Sequence, residues 1–395
     1  MIYNNFCEKI TFFLSLLIIN NYFLISLESP ILFLKINLIF IFSTILIFYF
    51  KHFYKNIPFK IFFIIILLIS LGTPTFEWDP RSIWLFHAKR IFIENSIFSV
   101  KDNYAAFSHN DYPSLVPALA ASIGHLVGHW NEVFPKLAFS LMFLPPIIFI
   151  NIYIKNYDYL IFLSLIFFFI GKYLFNGWAD GLLAVYFTLS VFLMHKLISN
   201  NFNFKKKNLF LNLITVLFFV ILTLIKNEGL ALLAIIFLIT FVLEFSNNTL
   251  KRNFKKIILL SISFIPIILW KYFCYTNNLG NDYINNSFLF NLELRANVLE
   301  NYKVIFYFLF LNEKFLIALF IFFTSFFILK NNNLFKFVFL IALTYSLILF
   351  IVYLSTPYDF YFQLNSSAAR TIKSISFLFG FFAIYNFSLE KKKLI

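Results

Sequence analysis

Residues Phe76 to Arg90 read F-E-W-D-P-R-S-I-W-L-F-H-A-K-R, a concentration of acids, bases and indoles in a chain that is 61% hydrophobic and only 13% charged. Charge beside a membrane-spanning segment costs free energy to keep desolvated, so such density marks a site more often than decoration. Glu77 and Asp79 flank Trp78. In an extended turn the two carboxylates can point to one side. There they could ligate a divalent ion through oxygen, or one could act as general base while the other orients it. A solvated loop with a few acids is the plain alternative. If 81–95 is helical, Arg81 and Lys89 roughly align, with Lys89 two turns from Ser82 on about the same face and Trp84 between them, which makes a phosphate clamp.

Further polar landmarks are sparse. Ser108 to Pro113, S-H-N-D-Y-P, places His109 and Tyr112 around Asp111. His109 near an acid could shuttle a proton, ligate a metal or cap a helix, and Asp111 could equally be the cap of the helix that follows. Asp180 lies in N-G-W-A-D-G, Lys226 and Glu228 in K-N-E-G, and Asp359 and Arg370 in the stretch from Tyr358 to Arg370. Membrane-edge charges reach water easily, so each of these alone reads as structural. Trp78, Trp84, Trp130 and Trp178 sit where indoles favour the membrane interface, with sugar stacking as the functional alternative for one or two.

The elements that must position these residues follow from hydropathy. With 62 phenylalanines and a mean hydropathy of +0.84, apolar runs of roughly 18 to 22 residues recur from end to end, the pattern of an all-α polytopic membrane protein. Runs such as 61–71 do not alternate, which excludes a transmembrane barrel. The net charge of +14 comes from short clusters between apolar runs, not from a stripe on a folded domain, so it reads as topology and not as nucleic-acid binding. Cys7 and Cys274 fit no metal or redox spacing. The first apolar run, 10–27, lacks a basic lead and a cleavage site and is expected to be a retained helix.

The clusters at Lys51 and Lys55, Lys205 to Lys207, Lys251 to Lys256, Lys330 with Lys336, and Lys391 to Lys393 are assigned to the cytoplasm. Helices near 10–28, 31–50 and 57–73 then lead to a long outer loop, 74–132, within a single transmembrane domain covering 1–395. Parity requires one of the next four apolar runs not to span. The choice falls on 113–129, which is short and carries Pro113, Pro117, Gly124 and Gly128, and is expected to lie on the outer face. Spans near 133–154, 159–175, 178–198, 208–225, 229–245, 257–275, 301–322, 336–355 and 371–388 complete about twelve. Asp180, Lys226 to Glu228 and Tyr358 to Arg370 then share the outer face with the first cluster, and the 74–132 segment roofs one pocket built from all of them. A cation there, Arg370, runs against the positive-inside rule and calls for a phosphate or carboxylate partner.

Nucleotide-binding glycine loops and a nucleophile elbow are absent from the sequence. At the residues quoted above the chain resembles the GT-C class of integral-membrane glycosyltransferases, and within it the bacterial enzymes related to aminoarabinose transferases and protein O-mannosyltransferases. Glu77-Trp78-Asp79 is similar to the acidic motif of that class's first outer loop. Trp78, Asp79, Ser82, Trp84, Ala88 and Lys89 resemble a W-D-x-x-S-x-W-x-x-x-A-K pattern, H-N-D-Y-P-S-L-V-P an H-x-x-Y-P-x-L-x-P stretch, and K-N-E-G a recurrent inter-helix motif. The segment Y-L-S-T-P-Y-D-F-Y-F-Q-L-N-S-S-A-A-R resembles a T-P-x-D-x-x-x-H-x-x-x-S-x-x-R pattern, with Gln363 where histidine is expected.

The resemblance implies a GT-C-like fold with a juxtamembrane helix in the first loop, in a bacterial inner or plasma membrane with its active site on the periplasmic face. It implies inverting transfer of a sugar from a polyprenyl-phosphate donor to a glycan, lipid or protein acceptor. Asp79 would be the base, Lys89, Arg81 and Arg370 would hold the leaving phosphate, and Glu77 would orient the acceptor or hold a metal; a divalent cation is an open option and no other cofactor is implied. Apolar grooves between helices would take the lipid tail. The rival classes are a multi-pass transporter or flippase, a glycan ligase or polymerase, and an assembly subunit.

Overall fold

Long runs of aliphatic and phenylalanine side chains leave the backbone N–H and C=O groups little to bond to except one another, and in lipid that selects helix. A computed structural model of the protein describes residues 2–51, 57–154, 157–200, 202, 209–280 and 288–394, and among these there is no strand. Of the basic clusters, Lys55 and Lys205 to Lys207 lie outside the described residues. The chain is an all-helical polytopic membrane protein.

The helices are α1 (Ile2–Ser26), α2 (Ile31–Phe50), α3 (Ile57–Gly72), α4 (Leu85–Glu94), α5 (Leu115–Val127), α6 (Leu137–Met142), α7 (Leu144–Ile150) and α8 (Tyr157–Phe169). They continue with α9 (Asp180–Ser199), α10 (Leu209–Ile225), α11 (Asn227–Ser246), α12 (Leu250–Ser261), α13 (Ile265–Thr276) and α14 (Phe288–Ala296). Last come α15 (Leu299–Phe310), α16 (Glu313–Leu329), α17 (Asn332–Ser355), α18 (Phe360–Thr371) and α19 (Lys373–Leu394). Among the described residues, seven helical stretches are long and apolar enough to cross a membrane: α1, α2, α9, α11, α12 with α13, α17, and α18 with α19. An eighth would be α15 with α16, bent by 74° where the Asn312 side chain caps the second half. The other expected crossings fall on shorter apolar helices: α3, α6 with α7, α8 and α10.

Burial sorts the helices by position. The apolar window of α9 is 83% buried and that of α18 with α19 is 78% buried, against 28% for α2, so the former are central and the latter faces lipid. Helix α19 packs along α16, α9 and α8, while α1 packs against α2, α7 and α10. Helix α5 departs from expectation. Its residues from Leu115 to His125 are all buried, enclosed by α1, α2, α4, α6 and α10, and it does not lie along a surface. The reason is in its composition: it is apolar all round, and Ala118, Ala120, Ala121, Ser122 and Gly124 let neighbouring helices close in. Its 13 residues still make a helix of only about 20 Å, shorter than a bilayer core.

Candidate functional site: a buried ion-pair network

Four chain breaks aim charged side chains at one place. Asp79 precedes a π-turn, Pro80–Trp84, closed by the bond from Leu85 N–H to the Pro80 carbonyl, and its carboxylate makes no capping bond to the turn. The loop before α9 turns at Gly177, whose φ of +93° suits glycine and whose absent Cβ would lie 3.1 Å from Pro80 Cβ, so this loop packs onto the π-turn and delivers Trp178 and Asp180. Between α10 and α11, Lys226 is extended (φ −159°, ψ 158°), which stops the helix. Just beyond, a Cβ on Gly229 would sit 1.9 Å from the Leu222 carbonyl oxygen, so only glycine permits this crossing. Arg370 comes from the last turn of α18.

Arg370 Nη1 donates to Asp79 Oδ2 at 2.5 Å and lies 3.9 Å from Asp180 Oδ2. Lys226 Nζ is 3.2 Å from Asp180 Oδ1 and 2.9 Å from Glu228 Oε1. The Arg370 guanidinium also sits 4.3 Å over the Trp178 ring, and the Trp178 indole N–H donates to Glu77, which further accepts from Lys172 and, at 3.0 Å, from Asn176 Nδ2. A second polar cluster adjoins through α11. Asp111 Oδ2 accepts from Asn227 Nδ2 at 2.6 Å and from Lys271 Nζ at 3.3 Å, and its carbonyl accepts from Trp270 Nε1 at 3.0 Å. Lys226 lies 5.8 Å over the Tyr112 ring, which stacks on His109 and meets Trp84 at 5.8 Å.

Burial drives the electrostatics. It pushes the Asp79 carboxyl above its ordinary range, with Asp180 adding to the rise while Arg370 and Lys226 oppose it. Asp111 is raised for the same reason, against Lys271, Asn227 and His109. Burial by itself would discharge Lys226, but Asp180 and Glu228 hold it well above the usual ammonium range. His87, buried with Nε2 on the Ser108 carbonyl at 2.8 Å, is pushed down to about 4 and stays neutral, a brace between α4 and the His109 turn.

Of the residues expected to form a site, Asp79, Asp180, Lys226, Glu228 and Arg370 form one chain of ion pairs; Glu77 joins through Trp178, and Asp111, Tyr112, His109 and Trp84 line its flank. Three expectations are corrected. Arg81 and Lys89 are exposed and belong to none of these ion pairs, because the π-turn breaks the regular periodicity on which their alignment over 81–95 was argued. Asp359 is exposed and caps α18, accepting from Phe362 N at 2.8 Å. Asp111 does not cap the helix that follows it, since α5 begins after Ser114. Gln363 lies beside a hydroxyl cluster, donating to Ser367 Oγ at 3.3 Å.

Glu77 and Asp79 do not fit a resident divalent ion. Each is occupied by its own cation, and among the described residues no three His, Cys, Asp or Glu side chains converge as metal ligands. Lys172, Asn176, Trp270 and Lys271 were not anticipated. The signal for Lys271 is its place inside the apolar run 257–275, where a charge is costly without a partner. Two buried polar atoms of the network, Arg370 Nε and Glu228 Oε2, have no partner and leave bonding capacity for a ligand. Comparison with known proteins finds no matching family model, no similar curated protein and no similar solved structure.

Proposed function

We propose that this chain is an inverting membrane glycosyltransferase of GT-C type, with about twelve crossings, that uses a polyprenyl-phosphate sugar on the outer face of the membrane. One observation carries the proposal. A half-buried carboxylate, Asp79, is paired with a half-buried guanidinium, Arg370, from a segment 291 residues away, beside a fully buried second pair of Asp180 and Lys226. A base and an anion-binding group are thus in contact before any substrate arrives.

That contact suggests how donor binding arms the base. A donor phosphate drawn to Arg370 competes with Asp79 for the guanidinium, and Asp79, losing its cation in a desolvated place, becomes more basic. An acceptor hydroxyl or amine gives its proton to Asp79 Oδ2. The acceptor atom then bonds to the anomeric carbon with inversion, and the carbon–oxygen bond to the phosphate breaks with its electron pair passing to the phosphate. Arg370 and Lys226 stabilise that charge, the contribution expected to dominate the rate. Arg81 and Lys89, exposed on the π-turn and α4, have no part in this step. Trp178 fixes the guanidinium and Glu77 fixes Trp178, which leaves Glu77 a positioning role.

The experiment is transfer from a panel of radiolabelled polyprenyl-phosphate sugars in membranes carrying matched amounts of wild-type protein or Asp79→Asn. Transfer by the wild type that falls by about two orders of magnitude or more in the variant is the expected result. Equal transfer by both proteins removes Asp79 as base. No transfer from any donor favours the rival class, a transporter or flippase, for which the bent α15–α16 pair and the buried Asp180–Lys226 pair are the supporting features.

A further inference from the structure

Three lysines gather where α8 ends, at the rim of the ion-pair network. Lys172 lies in the short turn Gly171–Leu174, Lys314 in the first turn of α16 and Lys373 at the start of α19. Lys314 Nζ donates to the Phe168 carbonyl at 2.7 Å, which pins α16 to the end of α8. The ammonium groups of Lys373 and Lys172 share the Tyr173 ring, 3.7 Å and 5.7 Å from its centroid. Lys314, Lys172 and Arg370 all repel Lys373, and Asp180, which attracts it, is already paired with Lys226. Lys373 makes no hydrogen bond or ion pair of its own among the described residues.

Like charges held together without matching carboxylates cost free energy. Among the described residues Glu77, on Lys172, is the one carboxylate in ion-pair contact with any of the three. Lys314 gains nothing from its own helix, because a cation in the first turn faces the positive end of the macrodipole. The patch also borders lipid. Phe168 on α8 is exposed, as are Ile317 and Phe320, one and two turns deeper along α16 from Lys314, and α19 packs along both helices. A ligand that satisfies this surface carries an anion at the membrane edge and hydrocarbon beneath it. A zwitterionic lipid brings an ammonium that the lysines repel, whereas an anionic phospholipid does not. The proposed donor phosphate belongs elsewhere, at Arg370 beside Asp79, and Glu77 with Trp178 stands between that pair and Lys172.

We propose that Lys172, Lys314 and Lys373 bind the phosphate of an anionic phospholipid whose acyl chains lie along Phe168, Ile317 and Phe320, in the leaflet on the side of the ion-pair network. The site stands whether or not the chain is a glycosyltransferase, since none of the three lysines takes part in the proposed transfer. A lysine close to an anionic lipid surface contributes roughly fivefold in affinity, so loss of two should weaken binding about tenfold or more. Because the lysines reach water, the preference for anionic lipid should shrink as salt is raised.

The test is native mass spectrometry of the detergent-solubilised full chain titrated with phosphatidylglycerol or phosphatidylcholine of identical acyl chains. Glycerol phosphate and a short isoprenyl phosphate sugar serve as competitors. The expected result is one phosphatidylglycerol held about tenfold or more tightly than phosphatidylcholine. That preference should vanish in Lys314→Gln/Lys373→Gln, survive in Lys314→Arg/Lys373→Arg, and survive in Lys251→Gln/Lys255→Gln, which removes exposed cations from α12. Thermal midpoints separate a ligand site from a structural brace. Without lipid, the Gln pair should melt at or above the wild type, because repulsion is relieved, and only the wild type and the Arg pair should gain from added phosphatidylglycerol. Equal retention of the two lipids, a preference unmoved by the Gln pair or lost in the Arg pair, or a lipid-free midpoint lowered by the Gln pair overturns the proposal. Displacement by glycerol phosphate would reduce the patch to a free-phosphate site, and displacement by the isoprenyl phosphate sugar would make it part of the donor site; either removes the phospholipid.

Discussion

Asp79 is held between burial, which favours its protonated form, and Arg370, which favours the ionised one. As the proposed base it must be ionised to act, so kcat/KM should fall as pH drops through its raised pKa, and the acid limb should lie above the ordinary carboxylate range near 4. Removing the cation raises the pKa further: Arg370→Gln should lower the rate and shift what remains of the acid limb upward. A pH–rate profile whose acid limb stays at the ordinary carboxylate value would exclude Asp79. Lys271 tests the adjoining cluster. Lys271→Ala removes a cation from beside the buried Asp111 and should cost about 1–3 kcal/mol, most of it recovered by adding Asp111→Asn, as read from denaturation midpoints of the single and double variants. At this scale the sequence exposed charges that interrupt polar loops, such as Asp79, Asp180 and Arg370, because they stand out against their neighbours. It concealed the partners Lys172, Asn176 and Trp270, whose roles depend on which helix end comes to rest beside them.

Helix starts and stops do more for the site than helix interiors. Gly229 lets α11 cross the end of α10 against the Leu222 carbonyl, and the extended Lys226 beside it depends on that crossing. Gly229→Ala should destabilise the protein by about 1–3 kcal/mol through overpacking and lower its thermal midpoint in detergent. Gly72→Ala, whose Cβ would meet no atom within 4 Å, should leave the midpoint unchanged. Equal midpoints for both variants would remove the steric argument. The existence of most helices was legible, since hydropathy dictates helix wherever lipid surrounds the backbone. The enclosure of α5 was not, because an apolar run of 13 residues has the same composition whether it lies on a bilayer or inside a bundle. The π-turn at Pro80–Trp84 was equally hidden: one extra residue per turn leaves no mark in periodicity over so short a segment.

The whole molecule gathers charges from segments around residues 77–79, 111, 172–180, 226–228, 271 and 370 into one region of the bundle. Parity of basic clusters assigned five of these segments to one side of the membrane, and the structure brings those five into contact with one another. The orientation proposed for them can be measured directly. Cys7 and Cys274 are buried and should be silent toward a membrane-impermeant maleimide in intact cells. Phe76→Cys, 78% exposed, should be labelled from outside, whereas Lys251→Cys should react only after permeabilisation. Labelling of both from the same side would rule out the assigned topology. The long separation of Arg370 from Asp79 also sets an order of events during synthesis. Asp79, Asp180 and Glu228 are all made before Arg370, with Lys226 their only cation in the ion-pair chain until α18 emerges. A nascent chain halted before that helix carries an uncompensated excess of carboxylates at the centre of its bundle, which would hold the site open to water or to proton uptake. The ion-pair chain is therefore complete only once α18 is in place, and a chain cut before Arg370 leaves Asp79 without the guanidinium it contacts.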